Sequence, residues 1–475
     1  MKLIGRVEET MLLKSLLDKD ESEFVAVYGR RRIGKTYLIR QVYAGQIVFE
    51  CSGLHQKDMA QQLENFWLTL AEHNKMGKPS LPPKTWLQAF AQLRGYLTGL
   101  PVGEKKVVFL DEISWFETPR SGFLAALDNF WNQFCTKRED IILVICGSAA
   151  SWIIQKVVND RGGLHNRITQ HIRLMPFRLG EMKDFLEARN VQLSMKDIAQ
   201  LYMCVGGIPF YIKDLRPGKS VAQILDELLL GSGARLKDEF PNLYAAIFRH
   251  NQGHETVVQA LAQKNKGLTR NEIIGATGMT SGGGLTLVLG ELLQCGFIQR
   301  IYPFSKVSED CLYRLVDEFS LFYFRFLHNR KGTDSWQQIA ETPAFKNWSG
   351  YAFENLCFKH VFQIKKALGI HGIVSNEYSW AQKGNASMPG AQIDFIIDRS
   401  DNCINLLELK FHNAEFEVTK DYASHLREKV EIFKQHTHTR KNIFLTLLTV
   451  FGAKRNEHFL ATVAQELTLD VLFDK

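Results

Sequence analysis

A glycine-rich loop near the N-terminus has the residue spacing of a phosphate-binding loop. The apolar run "FVAVYG" leads into Gly29-x-x-x-x-Gly34-Lys35-Thr36, and an amphipathic stretch follows. Glycines let backbone N–H groups turn toward phosphates, and the N-terminus of the next helix adds positive potential. Lys35 is expected to reach the β- and γ-phosphates, and the Thr36 hydroxyl to bind Mg²⁺. The sequence therefore predicts an ATP and Mg²⁺ site lined by Gly29, Arg30, Arg31, Arg32, Ile33, Gly34, Lys35 and Thr36.

An acidic pair follows a second apolar run. In "VVFLDE", Asp111 is expected to hold Mg²⁺ and Glu112 to polarise the attacking water. Ser148 ends a further apolar run, "LVICGS", and is expected beside the γ-phosphate. The three loop arginines, 30 to 32, either contact a polyanion or neighbouring subunit or are simply solvated, and the sequence leaves both interpretations open.

A second polar cluster lies far along the chain, in "GAQIDFIIDRSDNCINLLELK". Asp394 lies on one predicted strand, while Glu408 and Lys410 lie on one face of the next because strand side chains alternate. Carboxylates bind Mg²⁺, and an ammonium group can orient water for attack on phosphorus. A metal site at Asp394 and Glu408 is predicted. Gln392 either lines this site or, as the preferred interpretation, is an ordinary polar residue of an edge strand.

The elements that position these residues follow from the hydrophobic pattern. Four nearly continuous apolar runs in residues 1–175 predict a parallel sheet covered on both faces, in a doubly wound α/β domain. Residues 176–236 predict a helical lid. Residues 237–330 contain helix, turn, helix and hairpin in winged-helix order, with Thr269 and Glu272 at capping-box spacing. Residues 331–475 predict another α/β unit.

The N-terminal motifs "IGRVEE", "YGRRRIGKT", "FLDE", "GSA", "LHNR" and "GGIPFY" resemble those of AAA+/STAND-type ATPases, most closely the archaeal-type ATPase family. The resemblance implies that Gly5, Arg6 and Glu8 lie near the adenine and that the GGIP segment belongs to the lid. It also implies that Arg167 acts as an arginine finger, although the family has an LYGR-like segment there. A finger supplied by a neighbouring subunit would require a homo-oligomer.

The C-terminal cluster resembles the PD-(D/E)xK superfamily of restriction-endonuclease-like nucleases. That superfamily places a Glu on a helix, an Asp on a strand and an ExK motif on the next strand, and Glu354, Asp394, Glu408 and Lys410 fill these positions. With Glu112, these four are the expected catalytic residues. The resemblances together imply an ATPase that controls a Mg²⁺-dependent nuclease acting on DNA. The alternative is a nucleotide-switched binding protein whose C-terminal domain holds nucleic acid or protein without cutting.

Composition sets broad limits on these interpretations. A net charge of +7 permits nucleic-acid contact. Without a CxxC pair structural zinc is disfavoured, and without an apolar run near the roughly 20 residues of a membrane helix a cytoplasmic protein is expected. The candidate recognition helix, "TSGGGLTLVLGE", carries no Lys or Arg, which disfavours base-specific readout. A basic stretch from Lys420 to Lys441 is either a solvated face or a track for a phosphate backbone.

Overall fold

The computed structural model describes residues 3–74, 81–101, 103–148, 150–154, 156, 167–248, 251–304, 311–328, 335–384 and 389–474. Leu164 to Asn166 of the "LHNR" motif lie outside these ranges. The chain divides into two compact units, Met1–Pro176 and Phe177–Lys475. Among the described residues, no helix combines the length and the apolar character needed to cross a bilayer.

The first unit is built on a five-stranded parallel sheet. Its strands are β1 (Glu23–Tyr28), β2 (Ile47–Ser52), β3 (Lys106–Asp111), β4 (Ile141–Gly147) and β5 (Gln170–Arg173), in the spatial order β2-β3-β4-β1-β5. Its helices are α1 (Val7–Ser15), α2 (Lys35–Val42), α3 (Met59–His73), α4 (Trp86–Thr98), α5 (Phe123–Gln133) and α6 (Ala150–Ile153). The predicted parallel sheet is confirmed, with β5 as an additional edge strand.

Burial explains why the central strands form where they do. Every residue of β3 and β4 is buried, and in β1 only the last residue is partly exposed. Such strands need cover on both faces, and on one face α4 and α5 supply it with large aromatic side chains such as Trp86 and Phe130. Because β1, β4 and β3 are adjacent and parallel, their carboxyl ends lie at one edge of the sheet. The residues that follow these strands are therefore brought together there.

The second unit begins with helices and ends with a mixed sheet. Its helices are α7 (Leu179–Glu187), α8 (Met195–Val205), α9 (Pro209–Ile212), α10 (Val221–Leu225), α11 (Glu239–Ile247), α12 (Gln252–Ala262), α13 (Arg270–Thr277), α14 (Gly283–Gln294), α15 (Glu318–Phe322), α16 (Trp336–Ala340), α17 (Pro343–Lys359), α18 (Val361–Ala367), α19 (Lys420–Thr437) and α20 (Glu457–Leu460). Its strands are β6 (Ile298–Ile301), β7 (Leu312–Leu315), β8 (Ser375–Gln382), β9 (Ala391–Arg399), β10 (Cys403–Lys410), β11 (Asn442–Thr449) and β12 (Gln465–Thr468).

The helix, turn, helix and hairpin order predicted from the sequence is present in α13, α14 and the antiparallel pair β6–β7. Thr269 caps α13 by accepting a hydrogen bond from the backbone N–H of Glu272 at 3.2 Å, and the Glu272 side chain accepts one from the backbone N–H of Thr269 at 2.8 Å. This reciprocal arrangement is the capping box expected from the spacing of the two residues. We call residues 265–304 and 311–315 the hairpin region.

The C-terminal sheet has the order β12-β11-β10-β9-β8, with antiparallel pairing among β8, β9 and β10 and parallel pairing among β10, β11 and β12. Strands β8 and β12 were not expected from the sequence. The amphipathic run "AFENLCFKHVFQIKKAL", residues 352–368, predicts a single helix, and this prediction is wrong. The structure has two helices, α17 and α18, because the backbone of His360 leaves helical geometry with φ −112° and ψ 27°.

Candidate functional site

The glycine-rich loop connects β1 to α2 in the first unit. Gly29 has φ +151°, and a Cβ atom placed there would lie 2.2 Å from the carbonyl oxygen of Leu174. Gly34 has φ +92° and stands at the N-cap of α2. Both values belong to the region that glycine occupies at little cost. The two glycines therefore allow the sharp turn that presents backbone N–H groups at the start of a helix.

Lys35 is buried beneath this loop. Its Nζ donates hydrogen bonds to the carbonyl oxygens of Gly29 at 3.0 Å and Arg30 at 2.7 Å. The loop thus encloses a cation at the position where the spacing predicts a phosphate-binding lysine. A triphosphate would offer this ammonium group stronger, charged acceptors than two carbonyl oxygens.

Thr36 and Asp111 meet at the carboxyl edge of the sheet. The Thr36 hydroxyl donates to Asp111 Oδ2 at 2.7 Å, and Asp111 Oδ1 accepts from the backbone N–H of Glu112 at 2.9 Å. A hydroxyl and a carboxylate side by side are hard oxygen donors of the kind Mg²⁺ prefers. The two residues therefore fit a Mg²⁺ ion, which would neutralise charge on the β- and γ-phosphates when bound with nucleotide.

Glu112 and Ser148 form a close pair. The Glu112 carboxylate accepts from the Ser148 hydroxyl at 2.8 and 3.0 Å and from the Ser148 backbone N–H at 3.2 Å. Glu112 also has φ +46°, an uncommon conformation for a residue with a side chain. The carboxylate expected to polarise water is thus held against the residue expected to contact the γ-phosphate.

The arginines near this loop have different environments. Arg30 is buried, Arg31 is exposed, and Arg32 is half-buried with φ +70°. Arg167 is exposed. Arg6 was expected near the adenine, and its guanidinium donates to the carbonyl oxygen of Ile33 at 3.3 Å, which attaches the N-terminal segment to the loop.

The C-terminal cluster is organised by the register of β9 and β10. The antiparallel pairing ends with Leu407 opposite Phe395, and the segment of β9 around Asp394 pairs irregularly with β8. Asp394 and Glu408 are the next residues of the two strands, and the charges of both act on Glu354 of α17. Lys410 lies two residues beyond Glu408 and points to the same face of β10. The structure thus brings together the strand residues that the sequence singled out.

Glu408 is surrounded by donors. Its Oε1 accepts from the Tyr422 hydroxyl at 2.7 Å and lies 2.8 Å from Lys410 Nζ, while its Oε2 lies 3.1 Å from Lys429 Nζ. Burial alone would raise the pKa of Glu408, but the charges of Lys410 and Lys429 and the hydrogen bonds from Lys410 and Tyr422 lower it to about 2. Glu408 is therefore ionised throughout the neutral range.

Glu354 on α17 belongs to the same cluster, but its pKa is shifted in the opposite direction from that of Glu408. Its Oε2 lies 3.3 Å from a guanidinium nitrogen of Arg314 on β7. Burial and the neighbouring charges of Asp394 and Glu408 raise the pKa of Glu354 to about 8, against the lowering effect of Arg314. The cluster therefore combines one firmly ionised carboxylate with one that holds its proton at neutral pH.

The C-terminal cluster contains oxygen donors suited to a divalent cation. Asp394 and Glu408 are carboxylates on neighbouring strands, which is the chemistry Mg²⁺ requires. Both oxygens of Glu408 are already engaged by cations or a hydroxyl. Within the described ranges, no three His, Cys, Asp or Glu side chains are grouped so as to hold a metal ion.

Several residues of the cluster were missed or misassigned from the sequence. Tyr422 and Arg314 are not among the predicted residues, and Lys429 is predicted only as part of a general basic face. The interpretation of Gln392 as an ordinary edge residue is wrong, because its amide donates to the Asp394 carboxylate. Only the long-range fold reveals these contacts, although the position of Tyr422 about two helical turns before Lys429 was a usable signal of a helix face turned toward the sheet.

Most of the basic stretch beyond Lys420 is engaged locally. Lys434 pairs with Glu431 at 2.9 Å, Lys441 with Asp398 at 2.6 Å, and Arg427 donates to the Thr462 hydroxyl at 2.9 Å. These contacts favour a solvated face over a continuous phosphate track for this stretch.

The loop, the acidic pair and the parallel sheet define a P-loop ATPase. In agreement, residues 3–215 match the family model described as an ATPase domain predominantly from Archaea. This part of the chain is therefore an ATPase domain of the archaeal type.

Among known proteins, the chain is 25% identical over 373 residues to an uncharacterized protein of Methanocaldococcus jannaschii, covering 76% of this chain and 78% of that protein. The Walker-type ATPase of Pyrococcus abyssi has a similar structure, with 17% identity, a TM-score of 0.49, and coverage of 68% of this chain and 96% of the other. The ORC2 protein of Aeropyrum pernix in its ADPNP–ADP complexes is similar at 15% identity and a TM-score of 0.43, with coverage of 68% and 93%.

Proposed function

We propose that Mg²⁺-dependent ATP binding and hydrolysis in the first unit control a metal-dependent nuclease in the C-terminal domain, and that this nuclease acts on DNA. The observation that carries the proposal is the presence of Asp394 on β9, the neighbour of β10, on which Glu408 and Lys410 are in contact. Glu354 joins them from α17. Ionisable groups that are buried or partly buried near one another are costly unless they serve chemistry.

In this function Lys35 would bind the triphosphate, and Thr36 and Asp111 would hold its Mg²⁺ ion. Glu112 would accept a proton from the attacking water once the γ-phosphate draws Ser148 away from it. In the C-terminal cluster, Asp394 and Glu408 would hold a divalent cation, which lowers the pKa of a bound water and stabilises charge on phosphorus. Lys410 would orient the nucleophile beside Glu408.

Contacts within the second unit support the idea of control by nucleotide. The ATPase family match continues to residue 215, so α7, α8 and α9 belong to both the ATPase domain and the second unit. Gly206 of the GGIP segment approaches Glu318 so closely that a Cβ there would lie 2.9 Å from its carboxylate. Glu318 in turn pairs with Lys359 of α17, the helix that carries Glu354. A displacement of the lid would thus be transmitted to the C-terminal cluster through these contacts.

A second function is favoured by the partners of Glu408. Because Tyr422, Lys410 and Lys429 already satisfy this carboxylate, a metal must displace at least one of them. A cluster that keeps these pairs would grip nucleic acid or protein under nucleotide control without cleaving it.

Cleavage assays separate the two functions. We expect the wild type to cut plasmid or linear DNA with Mg²⁺ or Mn²⁺, and Glu408→Ala and Asp394→Asn to reduce the rate about 100-fold or more. Asp398→Asn is the matched control, since Asp398 lies four residues along the same strand and pairs with Lys441 instead. Binding of DNA without cleavage by any form of the protein would favour the second function.

A further inference from the structure

A cleft of about 250 Å³ is lined by residues of the hairpin region and of the C-terminal cluster. The hairpin region contributes Lys266, Thr269 and Arg314, and the C-terminal domain contributes Tyr351, Glu354 and Asp394. The lining therefore combines the cationic side chains of Lys266 and Arg314 with acidic side chains, and Arg314 is in contact with Glu354 at 3.3 Å.

The two walls are fixed to one another. The backbone N–H of Phe304, just after β6, donates to the carbonyl oxygen of Ser379 on β8 at 3.0 Å. The Phe304 ring packs against Tyr378 with centroids 5.4 Å apart and against Phe433 at 5.1 Å. These contacts join the hairpin region to the C-terminal sheet. The width of the cleft is thus set by the fold.

Lys266 is positioned by a close backbone approach. The adjacent Gly267 has φ +90°, and a Cβ there would lie 2.6 Å from the carbonyl oxygen of Tyr313. Leu268 and Tyr313 exchange two backbone hydrogen bonds at 2.8 and 2.9 Å. The loop carrying Lys266 is consequently anchored to β7, next to Arg314.

Arg314 has an unusual state for an arginine. Its side chain is only 6% exposed, it pairs with Glu354 at 3.3 Å, and its guanidinium lies 5.8 Å from the centre of the Phe358 ring. Its Nε is buried and has no hydrogen-bond partner among the described residues. An unsatisfied buried donor costs free energy. The planar guanidinium group can donate two parallel hydrogen bonds to the oxygens of a phosphate. A phosphate would therefore give the Nε donor a partner.

We infer that Arg314, assisted by Lys266, binds a backbone phosphate of the nucleic-acid strand that enters this cleft. The inference deepens the proposed function and rests on it in one respect, namely that the substrate is a phosphodiester. A phosphate site built from the C-terminal sheet alone would lack the positive charge of Arg314. The hairpin region would therefore bind the backbone next to Glu354 and Asp394, without reading bases.

The test measures binding and cleavage separately. Fluorescent duplex DNA is titrated with full-length protein in Ca²⁺, and Mg²⁺-dependent cleavage is followed in parallel. We expect Arg314→Ala to weaken binding about tenfold, to raise KM more than it lowers kcat, and to reduce the salt slope by about one. Arg314→Lys should recover part of the affinity because the positive charge is kept. Lys266→Glu, at an exposed position, should weaken binding without a packing defect.

Arg300→Ala is the matched control, because Arg300 is exposed on the neighbouring strand β6 and does not line the cleft. Equal binding by wild type, Arg314→Ala and Lys266→Glu would overturn the inference even if cleavage is found. Faster cleavage by Arg314→Ala would also overturn it, since Arg314 would then block the site. Weakened binding by these variants in a protein that never cleaves DNA would uphold the phosphate site and reject the nuclease.

Discussion

At the residue scale, the two glycines of the phosphate-binding loop differ in a way that the motif alone does not show. Both have positive φ, but only Gly29 faces a backbone atom, the carbonyl oxygen of Leu174, that a side chain would strike. No atom of the described residues lies within 4 Å of a Cβ atom added at Gly34. Strain at position 34 would therefore come from backbone conformation alone, whereas at position 29 a steric clash is added.

This difference yields a paired prediction. Gly34→Ala should lower the free energy of unfolding by about 1–2 kcal/mol, the cost of a left-handed backbone. Gly29→Ala should lower it by roughly a further 1–3 kcal/mol, because β1 or the segment at Leu174 must shift. Urea unfolding without nucleotide measures both. Equal destabilisation by the two substitutions would show that the close approach to Leu174 is not present in solution.

At the element scale, the break between α17 and α18 has a structural role. The ring of His360 is fully buried, accepts a hydrogen bond from the backbone N–H of Leu179 at 3.0 Å through Nε2, and contacts the Leu356 carbonyl oxygen at 2.8 Å through Nδ1. Nδ1 must then carry the proton. The N-terminus of α7 is thereby joined to the C-terminal domain by a neutral imidazole.

Acidic pH should weaken the contact between His360 and the N-terminus of α7. Burial lowers the pKa of His360 from its ordinary value of 6.5 to about 4. Between these values the unfolded chain takes up a proton that the folded protein does not. The stability that depends on neutral His360 is therefore complete above about pH 6.5 and falls by at most about 1.4 kcal/mol per pH unit down to about pH 4.

His360→Gln removes the titrating group while keeping an oxygen that can accept from Leu179. We expect its melting temperature to fall less than that of the wild type between pH 7 and pH 5. His425→Gln, at an exposed position on α19, should follow the wild type. A His360→Gln profile parallel to the wild type would mean that this histidine does not stay neutral in the folded protein.

The elements that could be predicted are those with a strong local signal. The buried strands β1, β3 and β4 are long apolar runs, and the capping box at Thr269 is a local motif. The edge strands β5, β8 and β12 have mainly polar sequences, "QHIR", "SNEYSWAQ" and "QELT", so their pairing depends on neighbours distant in the chain. The break at His360 was missed because apolar residues continue on both sides of it.

The candidate sites divide in the same way. Lys35, Thr36, Asp111 and Glu112 are predicted from motifs next to strands, which the sequence alone shows. Arg314 is 40 residues from Glu354, and Tyr422 is 14 from Glu408. Contacts of this kind arise from packing between elements, for which a single sequence carries no direct signal.

At the scale of the whole molecule, the ATPase domain and the acidic cluster occupy one chain, and the family match extends beyond the boundary of the first unit. In the proposed function, coupling would pass through the contacts from Gly206 through Glu318 and Lys359 to α17. A nucleotide can change this cluster only if it binds two conformations of the protein with different affinities. Control by ATP therefore predicts a cleavage rate that changes with nucleotide, in either direction.

The most direct measurement is the rate of DNA cleavage by the purified full-length protein in Mg²⁺, with and without ATP, for the wild type and for Lys35→Ala. The wild type should cleave at a rate that ATP changes several-fold, while Lys35→Ala should cleave at the rate of the ATP-free wild type whether or not ATP is added. Nucleotide control of the C-terminal site would be contradicted if ATP did not change the cleavage rate of the wild type. It would also be contradicted if ATP still changed the cleavage rate of Lys35→Ala.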